Sequence, residues 1–173
     1  MSTCFADLLS DRQVTFIPGD AEQLSFPSGQ DLIVSCSALQ WFVSPELFFK
    51  RCNALLSGHG YFAFSTFGKE NLKEIAAVTG SGLHYYSLEE LKKSLSMHYN
   101  IVTAGEERIR LTFATPLDVL YHLKHTGVTA VCRQAWTKGD LQEFCDKYAK
   151  LFSCGNAVTL TYHPLYIIAR KKP

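Results

Sequence analysis

No stretch of the 173-residue chain approaches the roughly 20 consecutive apolar residues of a membrane-spanning helix, so no transmembrane helix is expected. The first nine residues carry Asp7 and show no basic region ahead of an apolar run, which argues against a secretory signal. Excess charge is lacking too. Lys and Arg number 17 against 16 Asp and Glu, a net charge of +1, so nothing marks a bulk nucleic-acid binder. Six cysteines, Cys4, Cys36, Cys52, Cys132, Cys145 and Cys154, include no C-x-x-C pair and read as reduced thiols of a cytoplasmic protein. His122 and His125 stand three apart, as two metal ligands on one helix face would, but no third ligand follows at a familiar spacing and no metal is expected. Internal repeats, low-complexity segments and linkers are absent as well.

What remains is ordinary globular material, 47% hydrophobic and 19% charged, long enough for one domain with its own core. Val14 to Ile17 reads as a short strand ended by Pro18-Gly19, and Asp31 to Cys36 as a second. Ser44-Pro45 opens a helix with Leu47, Phe48, Leu55 and Leu56 at helical spacing, stopped by Gly58 and Gly60. Tyr61 to Phe67 is a continuous β-prone run, typical of a strand buried on both faces. A short helix is expected over Asn71 to Val78, and a capping box at Ser87–Glu90 predicts another from Leu88 to about Met97. Ile109, Leu111 and Phe113 alternate as in a strand, and Thr115-Pro116 starts a helix that Gly127 ends. Thr137 starts the clearest helix, with Leu141, Phe144, Cys145, Tyr148, Leu151 and Phe152 in one stripe. Val158 to Tyr162 alternates, and Leu165 to Ala169 forms a final strand. Alternation of strands and helices in the first half implies an α/β sheet.

Four segments carry a resemblance. Gly19-Asp20-Ala21-Glu22 and Ser35-Cys36-Ser37-Ala38-Leu39-Gln40-Trp41 each follow a strand. His122-Leu123-Lys124-His125-Thr126-Gly127-Val128 and Leu160-Thr161-Tyr162-His163-Pro164 come later. The first two resemble class I S-adenosylmethionine-dependent methyltransferases generally. The last two are more particular, and together the four resemble the malonyl-acyl-carrier-protein methyltransferases of biotin synthesis across essentially the whole chain. The resemblance implies a partial Rossmann-like α/β sheet with a helical insertion before the last strand. It divides the single domain into a sheet core over 1–113, a substrate-side helical insertion over 114–156 and a final strand over 157–173. It also implies a departure: the opening strand with its Gly-rich cofactor loop, and the acidic residue that holds the ribose, have no counterpart here. Residues 1–9 resemble the end of the helix that follows them, so about the first third of a family member is missing.

The roles implied are these. S-adenosyl-L-methionine is the cofactor, with Asp20 on the adenine amino group and the Ala21 amide on a ring nitrogen. Asp20 also reads as a turn-forming residue after Pro-Gly. Leu24 and Phe26 pack near the adenine or in plain core. Gln40 and Trp41 lie beside the methyl group, with Ser35 and Ser37 as further hydrogen-bonding candidates. On the acceptor side stand Lys124, His125 and Tyr162, against the plainer reading of Lys124 as a solvated helix lysine. His163, followed by Pro164, reads equally as a strand irregularity. The acceptor is malonyl-acyl-carrier protein or malonyl-CoA. Lys92, Lys93, Arg108, Arg110, Arg133 and Lys138 would meet an acidic carrier, and Arg170-Lys171-Lys172 reads as a solvated end.

The reaction itself demands no catalytic base, because a carboxyl group with an ordinary pKa of about 4 is already ionised at neutral pH. No catalytic side chain is therefore expected, only residues that position cofactor and acceptor. Two other readings compete: another small-molecule methyltransferase on the same scaffold, and a non-catalytic fragment or interaction module. As it stands, a chain with no cofactor loop is expected to be inactive, to bind cofactor weakly and to self-associate through uncovered apolar surface.

Overall fold

The computed structural model describes residues 15–127 and 136–173. Its elements are β1 (Gln30–Cys36), a 3₁₀ turn at Leu39–Trp41, α1 (Pro45–Leu55), β2 (Leu56–Phe67), α2 (Lys73–Thr79) and α3 (Leu88–Leu95). There follow β3 (Tyr99–Glu106), β4 (Ile109–Phe113), α4 (Pro116–His125), α5 (Lys138–Phe152), β5 (Ser153–Cys154), β6 (Ala157–Tyr162) and β7 (Pro164–Lys171). The mixed α/β architecture matches the expectation. A four-stranded sheet has the order β1-β2-β7-β3, and a three-stranded sheet the order β4-β6-β5. β1 and β2 run parallel with α1 as the crossover, whereas β7 is antiparallel to both β2 and β3.

Three helices start where their sequences direct. Ser87, Thr115 and Thr137 each accept the amide three residues on, and Glu90, Asp118 and Asp140 reach back to the cap amides. Each box satisfies amides that a helix start otherwise leaves unpaired. α1 is different: the Ser44 side chain makes no cap bond. The Glu22 carboxylate instead accepts the amides of Val43 and Ser44, both at 2.9 Å.

Two cores result. Phe48, Phe49 and Cys52 of α1 and Leu91 and Leu95 of α3 cover one face of the larger sheet, meeting Phe62, Phe64, Leu165, Ile167 and Ala169. Val119 and Leu123 of α4 and Phe144 and Tyr148 of α5 pack with Ile75 of α2 onto Val158 and Leu160 of the smaller sheet.

Several sequence expectations are corrected. Residues 15–17 form no strand, and Phe16 and Ile17 are exposed, because a β-prone run becomes a strand only beside a partner and β1 pairs with β2 alone among the described strands. Gly58 and Gly60 do not simply stop α1. They lie inside β2, which begins at Leu56, where the β1–β2 register is irregular between Gln30 and Leu32. A Cβ on Gly60 would stand 2.8 Å from the Gln30 carbonyl oxygen, so glycine permits that approach. β2 is buried on one face, not two: Phe62 and Phe64 point into the core while Tyr61 is exposed. On that same open face lie Leu32, Val34, Tyr166 and Ile168, all exposed. Leu47 and Leu151, expected in apolar stripes, are 62% and 52% exposed because they sit at the stripe edges beyond the covering layer. Strand β3, not anticipated, closes the sheet against β7. Arg170-Lys171-Lys172 is no loose end: β7 runs to Lys171, whose ammonium donates to the Leu56 carbonyl at 2.8 Å. The expected helix end at residues 1–9 and the candidate Arg133 lie outside the described residues.

Candidate functional site

Two loops come together at the carboxyl end of β1. In the first, Gly19-Asp20 begins a tight turn: the Asp20 carbonyl accepts the amides of Gln23 and Leu24, and its carboxylate accepts the Glu22 amide at 2.9 Å. The turn-forming role of Asp20 is thus observed, and the exposed carboxylate keeps further lone pairs for a ligand. Glu22 then ties this turn to the second loop through Val43 and Ser44.

The second loop opens at Ser37, held in the left-handed region at φ 50°. That conformation costs a non-glycine residue about 1–3 kcal/mol. It is held by its amide, which donates to the Ser65 carbonyl at 3.0 Å and hydroxyl at 3.2 Å. Gln40 spans the strand ends: its amide nitrogen donates to the Ser37 carbonyl at 2.5 Å, and its oxygen accepts the Thr66 hydroxyl at 3.2 Å. Trp41 is half-exposed and Ser35 is buried.

Between β1, α1 and residues 21–27 lies a largely apolar cavity of about 450 Å³, walled by Ala21, Phe26, Ile33, Ser35, Phe42 and Phe48 among others. Asp20, next to Ala21 in the chain, adjoins this cavity. Cys52, also in this wall, has its thiol pushed up to about 12 by burial and behaves as a small hydrophobe.

A second cluster sits at the carboxyl end of β2. Gln40, Thr66 and Phe67 line a narrow crevice with His84, Tyr85 and Tyr86. Beyond Phe67, whose ring lies 6.3 Å from that of Tyr162, the Tyr162 hydroxyl meets His122 Nε2 at 3.0 Å. Of the three expected acceptor-side residues, the structure places Tyr162, half-buried, at this junction. Lys124 and His125 are exposed in the last turn of α4, and His122, not His125, reaches Tyr162. Among the described residues, no group of three His, Cys, Asp or Glu side chains is arranged to hold a metal.

His163, which the sequence presents equally as a strand irregularity, is a buried hydrogen-bonded residue. It is 3% exposed, its Nδ1 accepting the Glu70 amide and its Nε2 facing a Glu106 oxygen, each at 3.2 Å. Glu106 and Glu70 both receive Arg108, at 3.0 and 2.7 Å. The Arg108 bond holds the Glu70 carboxyl down to about 2, with Lys73 adding to the effect. Of the basic residues expected to meet a carrier, Arg108 and Lys92 are therefore already ion-paired, the latter with Glu89 at 2.9 Å, while Lys93, Arg110 and Lys138 are exposed.

A family model described as a methyltransferase domain matches residues 1–64. A protein of Bacteroides thetaiotaomicron named malonyl-acyl-carrier-protein O-methyltransferase is 56% identical, the alignment covering 99% of this chain and 70% of that one. The chain belongs to the malonyl-acyl-carrier-protein O-methyltransferase family. A Bacteroides fragilis methyltransferase of the same name is 58% identical over 96% of this chain but only 34% of its own length. This methyltransferase chain thus spans a part of its relatives' length, as little as about a third. A solved structure of a Bacillus halodurans methyltransferase shares the fold, with a TM-score of 0.67 at 17% identity, covering 98% of this chain and 77% of that one. No helix among the described residues is long and apolar enough to cross a membrane.

Proposed function

We propose that this chain forms the acceptor-side part of an S-adenosylmethionine-dependent methyltransferase that esterifies the free carboxylate of malonyl-acyl-carrier protein, a step of biotin synthesis. The observation that carries the reading is Gln40. It lines the tyrosine crevice, and its loop walls the apolar cavity through Ala38 and Phe42, which supports a cofactor on one side of the loop and an acceptor on the other.

S-adenosylmethionine supplies an electrophilic methyl group on a sulfonium. Held beside Ser37, Gln40 and Trp41, it would supply that methyl group to an acceptor oxygen that is already ionised. No proton moves, so no base is needed. Asp20 and Ala21 hold the adenine edge, Phe26 and Phe42 exclude water from its face, and Ser37, Gln40 and Trp41 shape the wall next to the methyl group. Holding the reactants in line supplies up to roughly 7–11 kcal/mol of the barrier. The second sheet with α4 and α5 is the substrate-side part. Lys124 and His125, exposed at the end of α4, face the carrier and its phosphopantetheine arm.

The test joins this chain to the N-terminal segment of the Bacteroides thetaiotaomicron relative and supplies S-adenosylmethionine with malonyl-carrier, or malonyl-CoA as a smaller acceptor. A methyl ester on the malonyl group, seen by mass spectrometry, is the expected product. A joined protein that binds the cofactor yet leaves both acceptors unmethylated refutes the reading.

A further inference from the structure

Glu22 joins the two loops that wall the apolar cavity. Its own amide is held by the Asp20 carboxylate at 2.9 Å. Its side chain crosses to the other loop, where one carboxylate oxygen accepts the Val43 amide and the other the Ser44 amide, each at 2.9 Å. Ala21 and Phe42, the residues beside these two anchors, both line the cavity. Phe42 is set further by an edge contact with Phe48 of α1, the ring centroids 4.6 Å apart. Gln40 and Trp41 come just before it in the chain. Backbone N–H groups only donate, so this tie needs an acceptor with two oxygens. Ser44 offers no substitute, because its side chain makes no bond at the start of α1. Among the described residues, no other side-chain hydrogen bond joins residues 19–24 to residues 37–44.

We propose that Glu22 is a positioning residue for the cofactor: its carboxylate fixes the spacing between the Asp20–Ala21 turn and the Gln40–Trp41 loop, so that both loops engage one S-adenosylmethionine at once. The inference rests on the methyl-transfer reading above and adds the residue that couples its two binding loops. The Glu22 side chain is committed to backbone amides, so it acts through the loops it joins. A ligand that touches two loops gains fully from both only when their spacing is already set. Loops free to part must be ordered on binding, and that cost subtracts from affinity. A carboxylate on two amides suits this task, because hydrogen bonds to a charged acceptor are shorter and stronger than those between neutral groups.

Glu22→Gln keeps the size and one accepting oxygen but turns an NH2 group against the second amide. In the protein joined to the N-terminal segment, this variant should weaken S-adenosylmethionine binding about tenfold by calorimetry, with the KM for malonyl-carrier unchanged. Glu22→Ala removes both bonds at the start of α1 as well. Adding Ser44→Asp gives that helix a cap of its own without restoring the tie to residues 20–22. The double variant should regain the unfolding midpoint lost in Glu22→Ala and keep the weak cofactor binding. Recovery of both together, or parental affinity in Glu22→Gln, overturns the proposal. In the chain itself, Glu22→Gln should shift the Trp41 indole signal in NMR and leave the Thr161 amide of the smaller sheet unmoved; an unmoved Trp41 signal overturns it too. A joined protein that binds the cofactor but makes no ester sinks the methyl-transfer reading, and weaker binding in Glu22→Gln there upholds the positioning role.

Discussion

The carboxylate of Glu74 is buried to 2% exposure and grips Thr161 twice, taking its backbone amide at 3.0 Å and its hydroxyl at 2.5 Å. This joins α2 to the middle of the smaller sheet just before the β6–β7 turn. Thr161→Val keeps the shape and the amide bond but removes the hydroxyl donor from a buried charge. Loss of about 1–3 kcal/mol in chemical unfolding is expected. An unchanged midpoint would mean the carboxylate finds another donor there.

Neighbouring residues of β7 should differ sharply. Ile167 is fully buried between sheet and helices, whereas Ile168 is 37% exposed on the open face. Ile167→Ala should cost about 2–5 kcal/mol, and Ile168→Ala well under that range, because only the first leaves a cavity. Equal losses in parallel denaturant titrations would show that the open face is covered in solution.

Gly68 sits against the His163 ring, where an added Cβ would come within 2.6 Å. Hydrogen bonds on both ring nitrogens keep the imidazole from retreating. Gly68→Ala should destabilise the fold by about 1–3 kcal/mol and shift the His163 ring resonances. A variant as stable as the parent, with unmoved histidine signals, would argue against this packing.

The Arg108 bond is the first cause of the lowered pKa of Glu70, whose carboxyl is held down to about 2 from an ordinary 4.5. A folded-state pKa below the ordinary value stabilises the fold fully above about pH 4.5, and that contribution fades as pH falls toward 2. Both partners are substantially exposed, so salt should weaken the effect. Arg108→Gln should move the Glu70 midpoint upward in a carboxyl-carbon NMR titration. An unmoved midpoint would assign the effect to Lys73 instead.

Local signals were legible in the sequence. Ser87, Thr115 and Thr137 start helices because each cap and its partner acid lie within one turn. The two apolar runs flanking a helix pointed to an α/β sheet, and β1 and β2 are indeed parallel strands joined by α1. Strand β3 was not legible, because Asn100, Thr103 and Gly105 interrupt its apolar character and its stability comes from β7, far along the chain. The run over Tyr61 to Phe67 suggested two covered faces, since apolar residues on an open face look the same in sequence as those in a core. The Gly-Asp-Ala turn and the Gln40 loop carry short motifs that single them out in the sequence. The Asn71–Tyr85 bond was not legible, because Asn71 is oriented by the His163 amide, 92 residues along the chain. His122 was passed over for its neighbour His125 because spacing alone cannot say which helix face meets Tyr162.

The position of β7 sets the order in which the molecule can be assembled. It is the last of the described strands in chain order yet lies inside the larger sheet, antiparallel to β2 on one side and β3 on the other. During synthesis β1 and β2 can pair as soon as both have left the ribosome, but β3 has no partner in that sheet until residues 164–171 emerge. The larger sheet therefore closes only once β7 has emerged and pairs with β2 on one side and β3 on the other. Until then the edges of β2 and β3 are open to strands of other chains, which makes the C-terminal segment both the keystone of the fold and its guard against aggregation.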